Sequence, residues 1–480
     1  MRRSLVLLSS LLASCALVSG VGDLQVGDAA QGAEGGSADA FLAGDGASGP
    51  DGSVVLPDGA IVGGGRLTGT IMNPAGTHPV YGAAVYVPSG PIAPFAAGVA
   101  CDTCAKVYSG LPAIASTVSG PDGTFVLDGV PADAPFRLVI QLGRFRRQVT
   151  VPPVAASASA ALLPALARLP ATQLGGVSGA AGEGDLPQIA LVTGKADQIE
   201  CSLKKLGIAS SEFTSPSGGG RVHFYNFALA NGYTGAPGAY PGAGIAFPGA
   251  GSADALVDAP ATLGGYNAIL LGCSSNTANP SPPQQANMLG WFGLGGRLVA
   301  SHTGGADFVQ SQPAPTSGVA AWTPPATTMI DRGPPALPTK INPSALQGGA
   351  LASWLTSAGS TEPAGVLSLA GWRHDVTSVT ADATSWLNGD SSQPPLSRGA
   401  PAGPMVSAFS FDAPVGAAPA AQCGRVMIPE VHILDLVNPG PWPAACDASP
   451  SVTPEDLAFE FLFFRSMACL APLAAAPTGP

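Results

Sequence analysis

The chain has 480 residues, of which only 11% are charged, and its formal net charge is -11. The length predicts two or three domains, and the sign of the charge opposes the phosphate attraction behind nucleic-acid binding, so no nucleic-acid partner is expected. Gly 64 and Pro 48 predict short strands joined by long loops, and beyond residue 20 no window offers the ~18 consecutive apolar residues of a membrane-spanning helix.

In chain order, Met1-Arg2-Arg3 and the apolar residues 4–12 form the positive and hydrophobic parts of a secretory signal, read as residues 1–14. Leu12-Ala13-Ser14-Cys15 resembles the bacterial lipobox, which implies lipidation of Cys15 and anchoring of an extracytoplasmic protein to a membrane. The alternative is an ordinary signal peptide cleaved near Gly20. Residues 15–65 are rich in Gly, Ala, Asp and Ser and nearly lack aromatics, the composition of a flexible tether that cannot bury enough surface to offset chain entropy.

Residues 66–170 read as a small β-domain. Short β-branched or alternating runs occur at 66–71, 83–87, 136–140 and 146–151, and Gly120-Pro121-Asp122-Gly123 before residues 124–127 carries the signature of a hairpin turn. Gly69-Thr70, Gly82-Ala83-Ala84-Val85 and Ser119-Gly120-Pro121-Asp122-Gly123-Thr124-Phe125 resemble the carboxypeptidase regulatory-like domain. That resemblance implies a transthyretin-like β-sandwich, similar to folds that bind carbohydrate elsewhere. Arg144, Arg146 and Arg147 read as a solvated strand edge on which charge discourages edge-to-edge pairing.

After a linker at 171–185, residues 186–470 alternate strand and helix signals: strands at 189–192, 268–271, 297–300, 404–411 and 425–428, and helices at 196–206, 284–292 and 454–467. This predicts a mainly parallel sheet covered by helices. Residues 471–480 read as a disordered tail. Tyr266-Asn267-Ala268-Ile269-Leu270-Leu271, residues 289–292, Gly295-Gly296-Arg297-Leu298-Val299-Ala300-Ser301-His302 and Gly424-Arg425-Val426 resemble the ThuA-like branch of the class I glutamine-amidotransferase-like fold. Residues 139–149, 189–214 and 423–469 also resemble a group of secreted carboxypeptidase-regulatory-like proteins of high-GC soil bacteria.

In a parallel sheet, ligands gather beyond the carboxyl ends of strands. The candidates there are Gly194, Cys273, His302, Asp307, Glu430 and His432. His302 and His432 with Asp307 would make an acid/base site, and His302, His432 and Glu430 a metal site, but no tight ligand spacing supports either, and strand-end histidines are commonly satisfied by backbone. A third, weaker candidate is Asp375, beside His374 and Trp372. A nucleophilic cysteine requires a G-x-C-x-G elbow, whereas Gly272-Cys273-Ser274-Ser275-Asn276 lacks the second glycine and Pro280, Pro282 and Pro283 oppose an immediate helix. Cys273 therefore reads as buried or disulfide-bonded. Ser217-Gly218-Gly219-Gly220 precedes a strand rather than a helix, so no nucleotide or other cofactor is expected.

With Cys15 assigned to lipid, the remaining seven cysteines are odd in number, so one thiol stays free or pairs between chains, unless Cys15 is retained and oxidised instead. Cys101 with Cys104 is expected as a local disulfide, and Cys423 with Cys446 as one closing the Pro-rich loop. The balance of these signals is against catalysis. They describe a lipid-anchored binding or structural module of the cell envelope with a glycan or envelope protein as partner. The alternative is an extracytoplasmic hydrolase or sugar-modifying enzyme built on His302, Asp307 and His432.

Overall fold

The computed structural model describes residues 64–480 except 176–181, 195–196, 227–244, 246, 274–279, 324–335, 346, 393–402, 434–440, 448–450 and 473–474, together with a small antiparallel ladder of Val54–Val55 and Ile61–Val62. The signal, Cys15 and most of the tether lie outside the described residues.

Two sheets occupy the first third of the described chain. One runs, in spatial order, Gly184–Asp185, Phe145–Val151, Phe136–Leu142, Ala84–Pro88, Ala113–Val118; the other runs Thr124–Val130, Gly65–Thr70, Ser159–Ala161. Period-2 alternation turns Phe125 and Leu127 inward from the second, where they join Val85, Leu138, Ile140 and Phe145 of the first in one apolar cluster. The turn at 120–123 forms, with Gly120 N–H donating 2.9 Å to Thr124 O and Gly123 at φ 74°. It does not close a hairpin: Ala113–Val118 pairs with Ala84–Pro88, and Thr124–Val130 with Gly65–Thr70, so the turn carries the chain between the two sheets.

Among the described residues the site-bearing sheet has 11 strands. Its parallel core comprises β1 (Ile189–Thr193), β2 (Val222–Asn226), β3 (Ala268–Leu271), β4 (Arg297–Ala300) and, after the antiparallel β5 (Pro404–Ala413), β6 (Gly424–Pro429). The spatial order is β2-β1-β3-β4-β6-β5. β1, β3 and β4 are buried along their whole length, as the unbroken apolar runs of a strand covered on both faces require. Beyond β6 the sheet turns antiparallel through β5, Ala383–Asp390, Leu337–Ile341 and Val366–Leu369. The expectation of a mainly parallel sheet holds for the first half only. The fold is mixed α/β, with several sheets and few helices.

Helix α1 (Ile199–Lys205) follows β1, and α2 (Pro282–Leu294) follows β3. The prolines do not prevent α2. Pro282 and Pro283 occupy its first turn, where a missing N–H costs nothing, behind a capping box of Ser281 and Gln284. Helix α3 (Pro454–Met467) is capped the same way by Thr453 and Asp456 and is buried on every side from Glu455 onward. Phe461 stacks on Tyr81 and meets Trp386 edge-on, while Phe463 and Phe464 meet Phe145. Each fully buried Phe contributes about 1.5–3 kcal/mol of transfer free energy, so α3 is the apolar wedge shared by the first sheets and the large one.

Three sequence expectations fail here. The arginine cluster is buried, because Phe145–Val151 is flanked on both sides: Arg144 pairs with Asp102 at 2.6 Å, Arg146 with Asp185 at 2.8 Å, and Phe95 lies under both guanidinium groups. The disulfides are Cys101–Cys423, Cys104–Cys469 and Cys201–Cys446, not Cys101–Cys104 and Cys423–Cys446. Sequence spacing favours short loops, whereas the fold brings the 101–104 segment against the start of β6 and the end of α3. The last residues, read as a disordered tail, are hydrogen-bonded to the body, with Tyr108 Oη donating to Thr478 O at 3.0 Å and Ser116 Oγ to Pro480 O at 2.7 Å.

Candidate active site

Four parallel strands deliver one cluster at their carboxyl ends, the position at which an open α/β sheet holds its ligands. Asp197 follows β1, Cys273 follows β3, His302 follows β4 and His432 follows β6. Asp375 arrives from the connection that precedes Val376–Val379. Cys273, Asp197 and His432 have no exposed surface, and His302 retains 8%.

Asp197 ties the strand ends together. Its Oδ2 accepts the Cys273 N–H at 2.8 Å and the Ser301 hydroxyl; its Oδ1 accepts from His432 Nδ1 and from the Ile433 N–H, both at 3.0 Å. Burial alone would push this carboxyl up, but the His432 charge and these donors hold it below the usual carboxylate range. Gly194 belongs here as spacing rather than chemistry: a Cβ on it would lie 2.1 Å from the Cys273 carbonyl oxygen.

Cys273 Sγ lies 3.0 Å from His302 Nδ1 and accepts the Thr303 hydroxyl at 3.2 Å. His302 Nε2 is 2.7 Å from Asp375 Oδ2. The result is a continuous thiol–imidazole–carboxylate relay. His302 stands at φ 42°, ψ -111°, a left-handed conformation that strains a non-glycine residue by roughly 1–3 kcal/mol. The strand-to-helix elbow sought at Cys273 is thus one strand over, at Ala300-Ser301-His302-Thr303-Gly304. Gly304 leaves the clearance that lets the turn sit on the sheet, because a Cβ there would lie 2.9 Å from Leu271.

The His302 and His432 rings are 4.8 Å apart between centroids and inclined at 72°. Burial would raise the thiol, but the charges of His302 and His432 outweigh it and bring Cys273 down to about 5. Burial would likewise lower His302, yet the thiolate and the Asp375 hydrogen bond lift it to about 10. His432 is raised against burial by Cys273 and Asp197. The ground state at neutral pH is therefore a thiolate paired with the imidazolium of His302, with Asp375 held low against burial by its bond to His302. In metal-free protein, the ultraviolet thiolate absorbance that is lost in Cys273→Ser should titrate with a midpoint near 5, against about 8.5 for a free thiol. A midpoint above 8 would contradict the ion pair.

Glu430 and Asp307 are buried too. Burial and then the Asp375 charge push Glu430 well above the ordinary carboxylate range. Asp307 sits on the turn after the elbow and is not among the groups whose ligand atoms gather with Cys273. His374 faces Ser391 instead, 2.8 Å away. Of the sequence candidates, the fold unites Cys273, His302 and His432, with Asp375 as the carboxylate. Sequence reasoning passes over Asp197, although an acidic residue just beyond β1 is the signal that could have found it.

No protein-family model matches the chain, and no curated protein matches it. Among solved structures, a ThuA-like protein from Bacteroides uniformis ATCC 8492 aligns at 11% identity and TM-score 0.31, covering 58% of this chain and 91% of its own. A GMP synthase protein from Thermoplasma acidophilum aligns at 8% identity and TM-score 0.26, covering 58% and 94%.

Proposed function

We propose that the protein is an extracytoplasmic thiol-dependent acyl hydrolase in which Cys273 is the nucleophile, His302 the acid/base and Asp375 the carboxylate that orients it. The observation behind this is the unbroken relay of Sγ to Nδ1 at 3.0 Å and Nε2 to Oδ2 at 2.7 Å. This takes up the hydrolase alternative of the sequence and moves the central role from Asp307 to Cys273.

The thiolate attacks an ester or amide carbonyl, and the tetrahedral adduct collapses as the imidazolium of His302 protonates the departing alcohol or amine. Neutral His302 then takes a proton from water, whose oxygen attacks the thioester and expels Cys273 as thiolate. His302 is again imidazolium once the acid product has left. Asp375 keeps one nitrogen of the ring committed to itself, so the other always faces sulfur. His432, anchored by Asp197, balances the thiolate charge.

Three disulfides suggest a location outside the cytoplasm. Among the described residues no helix is long and apolar enough to cross a membrane. The lipid on Cys15 would hold the enzyme to a membrane, and acyl groups on an envelope glycan or protein, presented beside the carboxypeptidase regulatory-like part, are its substrate class.

Incubation with activated esters and with acylated envelope glycans, followed by mass spectrometry of the Cys273 peptide, should reveal a thioester adduct that Cys273→Ala cannot form. Turnover that survives Cys273→Ala would remove the nucleophile. A panel of esters and amides giving neither adduct nor turnover would return the protein to the class of binding modules.

A further inference from the structure

The relay uses one imidazole, and the site holds two. His432 has its Nδ1 on Asp197, and its ring also faces the Cys273 sulfur, which acts on it both by charge and by a hydrogen bond. Sγ of Cys273 and one ring nitrogen each of His302 and His432 lie within 4.8 Å of one another.

We propose that Cys273, His302 and His432 form a binding site for one zinc ion, with the fourth position open to water or an anionic ligand. Both rings are oriented as metal-binding imidazoles are, each with its outer nitrogen on a buried carboxylate, His302 on Asp375 and His432 on Asp197. The supports are fixed by the fold: His302 by the elbow, Cys273 through its N–H on Asp197, and His432 behind β6, where its N–H donates 2.7 Å to Gly371 O.

The donor set selects the metal. One thiolate and two imidazoles suit a borderline ion such as zinc, whereas calcium and magnesium require shells of oxygen. Zn–S of about 2.3 Å and Zn–N of about 2.0–2.1 Å place tetrahedral ligand atoms about 3.3–3.6 Å apart. With the ligand atoms within 4.8 Å of one another, the widest separation closes to that value by about 1.2–1.5 Å of side-chain movement. Bound zinc takes the sulfur electron pair that would otherwise attack a carbonyl. It therefore silences acyl transfer and shields an exchange-prone thiolate in a compartment where the other described cysteines are oxidised.

The inference does not rest on the hydrolase reading, and the test keeps the two apart. Metal-free full-length protein is titrated with Zn²⁺ against a chelator of known affinity, and with Co²⁺ while absorption is recorded, without substrate. One ion per chain is expected, with a near-ultraviolet thiolate-to-cobalt charge-transfer band that is absent in Cys273→Ser. His432→Ala should weaken zinc by at least about 100-fold, and Asp197→Asn by about 10–100-fold. Cys273→Ser changes a single atom and preserves the packing, so its spectrum decides the matter even if His432→Ala fails to fold. Absence of stoichiometric binding, unchanged affinity in His432→Ala, or a cobalt spectrum without the thiolate band would overturn the site. A protein that binds no zinc yet acylates Cys273 defeats this inference alone; one that binds zinc and never acylates defeats only the hydrolase.

Discussion

Asp375→Asn should lower acyl transfer by about 10³–10⁴-fold with little change in KM, the loss seen when the orienting carboxylate of a nucleophile–imidazole pair becomes an amide. Two effects combine. An amide can turn its NH₂ toward Nε2, which selects the tautomer with Nδ1 protonated in the neutral ring and removes the base. It also withdraws an anion from beside the imidazolium. His302, held at about 10 partly by Asp375, should titrate lower, and the thiol, held at about 5 by the imidazolium charges, should titrate higher. Both shifts are readable in the thiolate absorbance, a signal that a merely structural aspartate would leave in place. Glu430 is pushed up by burial and then by the Asp375 charge, so its ionisation becomes easier in the variant. Glu430→Gln combined with Asp375→Asn should therefore be slower than Asp375→Asn alone. A loss of less than about tenfold with an unmoved thiol midpoint would show that Asp375 is not part of the relay.

The elements around this site are legible wherever one strong local signal decides them. Residues 268–271 and 297–300 are short apolar runs between turn residues, and the strands have those bounds. Residues 454–467 begin with Pro behind the N-cap Thr453 and carry an acidic third position, and α3 has the bounds that such a cap sets. Of the antiparallel half of the large sheet, β5 is read at 404–411, but Leu337–Ile341 and Val366–Leu369 are not, because they mix buried and half-exposed residues in short, weak patterns. The site itself divides along the same line. That His302 and His432 stand at strand ends is readable from periodicity. That their rings meet depends on β4 and β6 being neighbours although more than a hundred residues separate them, which no local pattern records. Sequence reasoning sets Cys273 aside for lacking an elbow of its own. The elbow exists on the adjacent strand, where it holds the imidazole rather than the sulfur, and glycine motifs cannot say which member of a catalytic pair is presented by strain.

Opening Cys104–Cys469 by replacing both residues with serine should cost roughly 4 kcal/mol in reversible unfolding, and opening Cys101–Cys423 as well should leave the chain largely unfolded at 37 °C. The two bridges span 322 and 365 residues, so either one alone removes a very large loop from the unfolded ensemble. Their effects are unequal in sequence. Once Cys101 is joined to Cys423, the second bridge closes only the residues between the neighbouring cysteines at each end, which is why its added share is the smaller. The pairing read from spacing makes an opposite prediction: a Cys101–Cys104 loop is so short that its loss would be worth little, and Cys469→Ser would be nearly silent. Denaturant titration of the paired-serine variants separates these cases, and peptide mapping of the oxidised protein identifies the partners directly. The consequence reaches the relay, because Cys423 immediately precedes β6, whose far end leads into Glu430 and His432. A protein that keeps full stability and an unchanged thiolate titration after both bridges are removed would show that the site is held by the sheet and α3 alone.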